Sequence, residues 1–281
     1  MTTLAQALAA AQAQGLTRLA AQQLLLKALG RPLTDRAWLL AHDDHELSAE
    51  QCEQLQQGLQ RHQAGEPLAY VLGEQDFYGL TLSVDARALV PRPDTETLVD
   101  WALACLPLGG RLLDLGTGSG AIALAVCAQR PDAQVVATDA SAQALALAKH
   151  NARRLGLAPQ FHQGYWLQAL PADCAPFDVI VSNPPYIAEG DPHLAALLAE
   201  PMSALTAGPD GLADLAHLID HAAPALKPGG WLLLEHGYDQ AAAVTQRLRQ
   251  VGWLAVGSRA DLAGVLRCSA GQRPIQTHSL P

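Results

Sequence analysis

The chain has 281 residues, of which 49% are hydrophobic and 16% charged, and a formal net charge of −9. That is the composition of a compact soluble protein with apolar material for one large folded unit or two modest ones, and it excludes a disordered polymer. Both halves of the chain are acidic, which disfavours a protein that grips nucleic acid by neutralising phosphates.

From residue 3 to about residue 63 the apolar positions recur at helical spacing: Leu4 and Leu8, Leu19 and Leu24 to Leu26, Trp38 to Leu40, then Leu55 and Leu59. Gly15 and Gly30-Arg31-Pro32 separate the first segments, and Asp35 and Ser48 are helix starts for the later two. A small helical bundle over residues 1–66 is expected. Between Pro67 and Asp85 the pattern changes to period two, through Leu68, Tyr70, Leu72, Phe77, Leu80, Leu82 and Val84, with Gly73 and Gly79 as turn residues. This predicts a linking β-hairpin within residues 67–90.

From residue 91 helices alternate with short apolar strands. The expected order is helix 95–106, strand 111–115, helix 120–129, strand 134–138, helix 141–155, strands near 159–163 and 177–182, helix 211–226, strand 230–235, helix 239–251, and strands near 253–258 and 264–269. Such alternation builds parallel βαβ units. The expected fold class is α/β, a doubly wound, mostly parallel seven-stranded sheet over residues 91–281, preceded by the helical domain and hairpin.

No apolar run reaches transmembrane length, and the alanine-rich N-terminus lacks a basic region and is interrupted by glutamines. The five cysteines are odd in number, widely spaced and without a C-x-x-C pair. Reduced thiols in a cytoplasmic protein are expected, with no disulfide framework, metal cluster or membrane partner.

Leu112-Leu113-Asp114-Leu115-Gly116-Thr117-Gly118-Ser119-Gly120-Ala121 reads as a strand, a glycine-rich turn and the start of a helix. The glycines permit positive φ and close approach of a ligand, and the first helical N–H groups face it. The spacing also satisfies G-x-G-x-x-A, so it does not choose between a nicotinamide cofactor and S-adenosylmethionine. Asp139, ending the next strand, can take both ribose hydroxyls in either case.

Asn183-Pro184-Pro185-Tyr186 follows the apolar run 177–182. The Asn oxygen and the Pro184 carbonyl can each accept one hydrogen of a planar NH2 group, the prolines stiffen the backbone, and Tyr186 can stack on the target. Taken alone, the tetrapeptide is equally a turn that ends a strand. Beside a sulfonium methyl donor it makes a complete methyltransferase, whereas a hydride donor has no use for it.

With these residues assembled, the chain resembles the bacterial peptide chain release factor glutamine N5-methyltransferases over nearly its whole length. The carriers are Pro91-Arg92-Pro93-Asp94-Thr95-Glu96, Asp114 to Gly120, Asp139, Asn183 to Tyr186, Glu200-Pro201 with Ala204-Leu205, Asp210-Gly211-Leu212 and Leu234-Glu235-His236-Gly237. The resemblance implies a class I S-adenosylmethionine-dependent fold. It implies methyl transfer to the side-chain amide nitrogen of the glutamine in the Gly-Gly-Gln motif of class 1 release factors, leaving S-adenosyl-L-homocysteine.

On that reading Gly116, Thr117, Gly118, Ser119 and Gly120 cradle the cofactor, Asp139 holds its ribose, Trp166 lies against its adenine, and Asn183 borders it. Asn183, Pro184 and Tyr186 are catalytic and, with Pro185, bind the substrate amide. The N-terminal domain recognises the release factor, and the enzyme is a monomer with no direct nucleic acid binding. Two departures stand out: Tyr165 occupies a position where the family has an acidic residue, and His193–Glu200 is short and lacks an arginine before Glu-Pro.

Other readings are weaker. His42-Asp43-Asp44-His45-Glu46 is a polar helix junction rather than a metal tract, and His217 with His221 is a solvated helix face without a third ligand. Pro91–Glu96 is either a turn with Asp94 capping the next helix or, through Arg92 and Glu96, a flank of the cofactor pocket. The alternatives in function are methyl transfer to a ribosomal-protein glutamine or to an exocyclic amine of adenine or guanine, and a non-catalytic scaffold on the same fold.

Overall fold

The computed structural model describes residues 2–275. The chain divides after Glu74 into two compact units. The first contains α1 (Leu4–Ala13), α2 (Arg18–Ala28), α3 (Arg36–Ala41), α4 (Ala49–Gln63) and α5 (Leu68–Leu72). Thr3 and Ser48 open α1 and α4 with full capping boxes through Gln6 and Gln51, which satisfies N–H groups that a helix start leaves orphaned. Asp35 does not cap α3; its carboxylate pairs with Arg31 at 2.6 Å. Leu4, Leu24, Leu25, Leu26, Leu39, Leu55, Leu59 and Val71 form one core.

The period-two reading of Leu68, Tyr70 and Leu72 is corrected by α5. Ala69 to Leu72 are all buried, so the segment has no solvent face whose period could separate strand from helix. The amides of Tyr70 and Val71 turn back onto the Pro67 carbonyl, and Gly73 at φ 78° ends the helix in the left-handed region. The hairpin is shorter than expected: β1 (Glu74–Phe77) and β2 (Leu80–Ser83) meet at Tyr78 and Gly79, both at positive φ, as a tight two-residue turn requires.

The second unit continues with α6 (Glu96–Cys105), β3 (Arg111–Leu115), α7 (Ala121–Gln129), β4 (Gln134–Asp139), α8 (Ala142–Leu155), β5 (Gln160–Gln163) and β6 (Phe177–Ser182). It ends with α9 (Ala213–His221), β7 (Leu226–Glu235), α10 (Ala241–Val251), β8 (Leu254–Ala260) and β9 (Leu266–Gln272). The sheet has the order β5-β4-β3-β6-β7-β9-β8, with β9 antiparallel to β7 and β8. Leu112, Leu113, Leu115, Val179 to Val181 and Leu232 to Leu234 are fully buried, as strands covered on both faces demand.

The helix expected over 211–226 stops at His221, because Pro224 follows in a short 3-10 turn, and the next strand begins at Leu226 rather than Gly230. The chain winds outward from β3 to β5 on one side and from β6 to β7 on the other. The crevice between the carboxyl ends of β3 and β6 is therefore the topological switch point, where open sheets of this kind bind ligands.

Candidate active site

Gly116, Gly118 and Gly120 adopt φ values of 72°, 57° and 89°, which no β-branched residue would tolerate without strain. The amides of Gly116 and Thr117 both donate to the Thr138 carbonyl at 2.9 Å, which ties the turn to the end of β4. Beneath it Asp114 Oδ2 accepts the Thr117 hydroxyl at 2.6 Å and the Ala123 amide at 3.1 Å. Burial holds the Asp114 carboxyl up at about 7 despite these bonds. Asp139 Oδ2 accepts the Gly118 amide at 2.9 Å and Oδ1 the Ser141 amide at 2.8 Å, so both of its oxygens are fixed and each keeps acceptor capacity.

These groups border a cavity of ≈ 230 Å³ at the switch point. Gly116, Thr117, Gly118, Ser119, Asp139, Trp166, Asn183 and Pro185 line it, joined by Arg92, Thr95, Tyr165, Pro201 and Asp214. Gly120, Pro184 and Tyr186 are not on its wall. Gly120 instead faces α8: a Cβ there would stand 3.2 Å from that of Ala148, so this glycine serves helix packing. Glu96 is also off the wall; its carboxylate accepts the Tyr78 amide at 2.8 Å. Asp94 makes no cap and pairs with Arg267 at 3.3 Å.

Trp166 is nearly buried and held at φ 46°, with its ring where a Cβ on Gly116 would approach to 3.2 Å. Its indole nitrogen has no partner among the described residues. Tyr165 is the half-exposed aromatic of this end of the cavity, and its hydroxyl donates to Asp214 at 3.1 Å. A carboxylate therefore stands here on α9 although position 165 lacks one.

Asn183 leaves β6 beyond Ser182, whose hydroxyl donates to the Leu115 carbonyl at 2.7 Å and so locks the ends of β3 and β6 together. Asn183 Nδ2 donates to the Thr95 hydroxyl at 3.2 Å, while its Oδ1 is buried without a partner. No hydrogen bond among the described residues reaches the Pro184 carbonyl. A free amide oxygen beside a cavity, next to a stiff proline carbonyl, is an arrangement that can accept both hydrogens of an NH2 group. The Tyr186 hydroxyl approaches Glu235 at 3.5 Å, and burial raises the pKa of both groups, that of Glu235 to about 7. Gln240 Nε2 donates to the Tyr186 carbonyl at 3.0 Å, and a Cβ on Gly211 would collide with that carbonyl at 2.2 Å. The Asp-Gly-Leu motif thus exists to let two backbones touch.

Three site residues escaped the reading of the sequence as functional groups. Thr95 and Glu200 sit inside quoted motifs, but only the fold brings Thr95 to the cavity wall and sets Glu200 against residues that line it. Buried Glu200 accepts the Val90 amide at 3.0 Å and pairs with Arg92. Asp214 carries no sequence signal. His236, by contrast, makes the structural bonds expected of it, to Ser269 at 2.8 Å and to its neighbour's carbonyl.

Comparison with known proteins agrees with this architecture. Residues 2–73 match the family described as PrmC N-terminal domain, and residues 95–209 the family described as Methyltransferase small domain. The chain is 49% identical over 261 residues to a release factor glutamine methyltransferase of Bordetella pertussis, covering 92% of this chain and 95% of that one. It is 47% identical over 274 residues to the Xylella fastidiosa protein of the same name, covering 95% and 98%. A crystal structure of a methyltransferase from Pyrococcus furiosus, 20% identical, superposes with a TM-score of 0.55 over 78% of this chain and 98% of that one, which shows the shared fold alone.

Proposed function

The chain belongs to the release factor glutamine methyltransferases, and from that premise we propose that its cavity binds S-adenosylmethionine and presents to it the amide of the Gly-Gly-Gln glutamine of a class 1 release factor. The residues fit that cofactor: open backbone at Gly116 and Gly118, two fixed carboxylate oxygens on Asp139, and the Trp166 and Tyr165 rings at the far end. When bound, the cofactor supplies an electrophilic sulfonium methyl group. Ser119 and Thr117 complete the cradle on the β3 side.

The observation that carries the reading is the buried, unpartnered Oδ1 of Asn183 beside the cavity. An amide nitrogen is a poor nucleophile because its lone pair is delocalised, so holding it in line and stabilising charge as the amide twists must supply most of the rate. Asn183 Oδ1 and the Pro184 carbonyl accept its two hydrogens, and the rigid Pro184-Pro185 segment keeps them in place before the substrate arrives. Tyr186 packs against the group from below, its hydroxyl turned to Glu235. In this reading residues 1–74 recognise the release factor, and the protein works as a cytoplasmic monomer. No helix among the described residues is long and apolar enough to cross a membrane.

The test is incubation with labelled S-adenosylmethionine and purified release factor, ribosomal protein, tRNA and DNA in parallel. Label is expected on release factor only; label confined to nucleic acid would overturn the reading. Asn183→Ala is expected to abolish transfer while cofactor affinity, measured by calorimetry, stays within about threefold.

A further inference from the structure

Gln240 stands at the N-terminus of α10, is not on the cavity wall, and has no role in the reading above. Its side-chain amide joins three separate stretches of backbone. Oε1 accepts the Gly237 amide at 2.8 Å, and Nε2 donates to the Tyr186 carbonyl at 3.0 Å and to the Asp210 carbonyl at 3.5 Å. One donor and two acceptors facing it fix which way round the amide sits. Glycine at 211 and 237 leaves it room: a Cβ would stand 3.0 Å from Nε2 at the first and 3.1 Å from Oε1 at the second.

The Asn183–Tyr186 segment depends on its ends. Pro184 and Pro185 have fixed φ and no N–H, so the stretch moves as a stiff unit and cannot tie itself to its neighbours by donating. At the near end the Ser182 hydroxyl fixes β6 to the Leu115 carbonyl. At the far end the planar peptide between Tyr186 and Ile187 is gripped on both edges: Gln240 holds its oxygen, and its N–H donates to the Leu205 carbonyl at 2.8 Å. With the Gln240 bond gone, one edge is free and the plane can turn about the other. The Pro184 carbonyl, two residues back on the stiff unit, turns with it.

We propose that Gln240 is a positioning residue for methyl transfer: by holding the Tyr186 carbonyl it aims the Pro184 carbonyl, beside Asn183 Oδ1, at the hydrogens of the acceptor amide. The inference rests on the reading of Asn183 and Pro184 as the groups that hold that amide. A poor nucleophile is sensitive to aim, and a displacement of about 1 Å can cost about a hundredfold in rate. The cofactor side is held separately, the glycine turn by the Thr138 carbonyl and Asp139 by the Gly118 and Ser141 amides. Loss of Gln240 therefore lowers kcat without weakening cofactor binding.

The experiment measures kcat, KM for release factor, the dissociation constant of S-adenosylhomocysteine and the thermal midpoint for the full chain and its variants. Hydrogen exchange of the Ile187 amide reports on the loop itself. Gln240→Leu, which fills the space without any of the bonds, is expected to lower kcat by about tenfold or more, with S-adenosylhomocysteine affinity held within about twofold and KM within about threefold. Gln240→Glu keeps the acceptor for Gly237 but, ionised at about pH 8, faces the Tyr186 and Asp210 carbonyls. It is expected to lose at least as much kcat as the leucine variant. Exchange at Ile187 is expected to quicken by about threefold or more in both.

Gln240→Leu with kcat within about twofold of the parent overturns the proposal, even beside a lowered thermal midpoint, because a bond that only stabilises the fold leaves turnover per folded molecule alone. A fall in S-adenosylhomocysteine affinity as large as the fall in kcat overturns it too, as does unchanged exchange at Ile187. Should Gln240→Leu fail to fold, Gln240→Glu, which keeps the Gly237 bond, decides by the same measurements. Asn183→Ala separates the two levels of inference. An active Asn183→Ala overturns the site reading and this proposal with it, whereas an inactive one beside a fully active Gln240→Leu overturns only the positioning role.

Discussion

Asp139 holds the glycine turn and the first turn of α8 at once, through the Gly118 and Ser141 amides, and its remaining lone pairs face the cavity. Removing the carboxylate takes away a ligand contact and leaves two backbone donors to find water. Asp139→Ala is therefore expected to weaken S-adenosylhomocysteine binding by at least about tenfold in calorimetry, with a smaller fall in thermal midpoint; an unchanged dissociation constant would mean the ribose lies elsewhere. Asp139, Asn183, Gly116 and Gly118 were legible in the sequence because their chemistry is written in adjacent residues at a strand end, whereas Gly120 shares the motif but faces α8. Thr95 and Asp214, which line the cavity, and Glu200, which braces Val90 and Arg92 of its wall, were not, since they come from separate loops and helices and only the fold brings them together. Tyr165 is instructive in the same way: the missing acid at that position is visible in the sequence, its neighbour Asp214 is not.

At the scale of elements, α8 carries a clamp that none of the motifs announced. Buried Asn151 accepts the Ser83 amide at 2.8 Å and donates to the carbonyls of Ser83 and Ser119, each at 3.0 Å. One side chain thus ties the end of β2 and the glycine turn to α8, and all its bonds are made with backbone. Asn151→Ala should cost about 2–3 kcal/mol in urea unfolding, because it orphans one buried donor and two acceptors. Asn151→Asp should cost more, since it sets a carboxylate against both carbonyls; a neutral effect of either would show that water replaces the clamp. The alternation of strand and helix after residue 91 was readable because strands buried on both faces are continuous apolar runs. The segment 68–72 was not, since a fully buried stretch of five residues looks the same as helix or strand, and the deciding features are the Pro67 carbonyl and Gly73.

Across the whole molecule, titration sets two opposed trends in stability. Asp85, Asp220 and Asp261 are held below the usual carboxylate range, the first two chiefly by their arginine partners and Asp261 by the Val265 amide. A depressed carboxyl contributes stability above its unfolded pKa and loses it as pH falls through the folded one, so these three act in acid and have finished by about pH 5. Asp114 and Glu235 have the reverse sign. Their folded values near 7 lie above the ordinary 3.8 and 4.5, so the folded state holds protons that the unfolded chain has released. Stability from these two is full below about pH 4 and drains away up to about pH 7, after which the fold carries two buried charges. His236, lowered by burial, opposes them weakly around its ordinary value. A thermal midpoint that peaks near pH 4–5, declines up to about pH 7 and then levels off is the expected profile of the ligand-free protein. Asp114→Asn removes the larger of the two penalties while keeping an acceptor for Thr117 and Ala123. It should raise unfolding free energy at pH 8 by about 1–3 kcal/mol, by less at pH 5, and leave it nearly unchanged below about pH 4. A variant less stable than the parent at pH 8 would show that the Asp114 carboxylate is solvated or paired in the fold, and the pH-dependence of urea midpoints for the two proteins decides it.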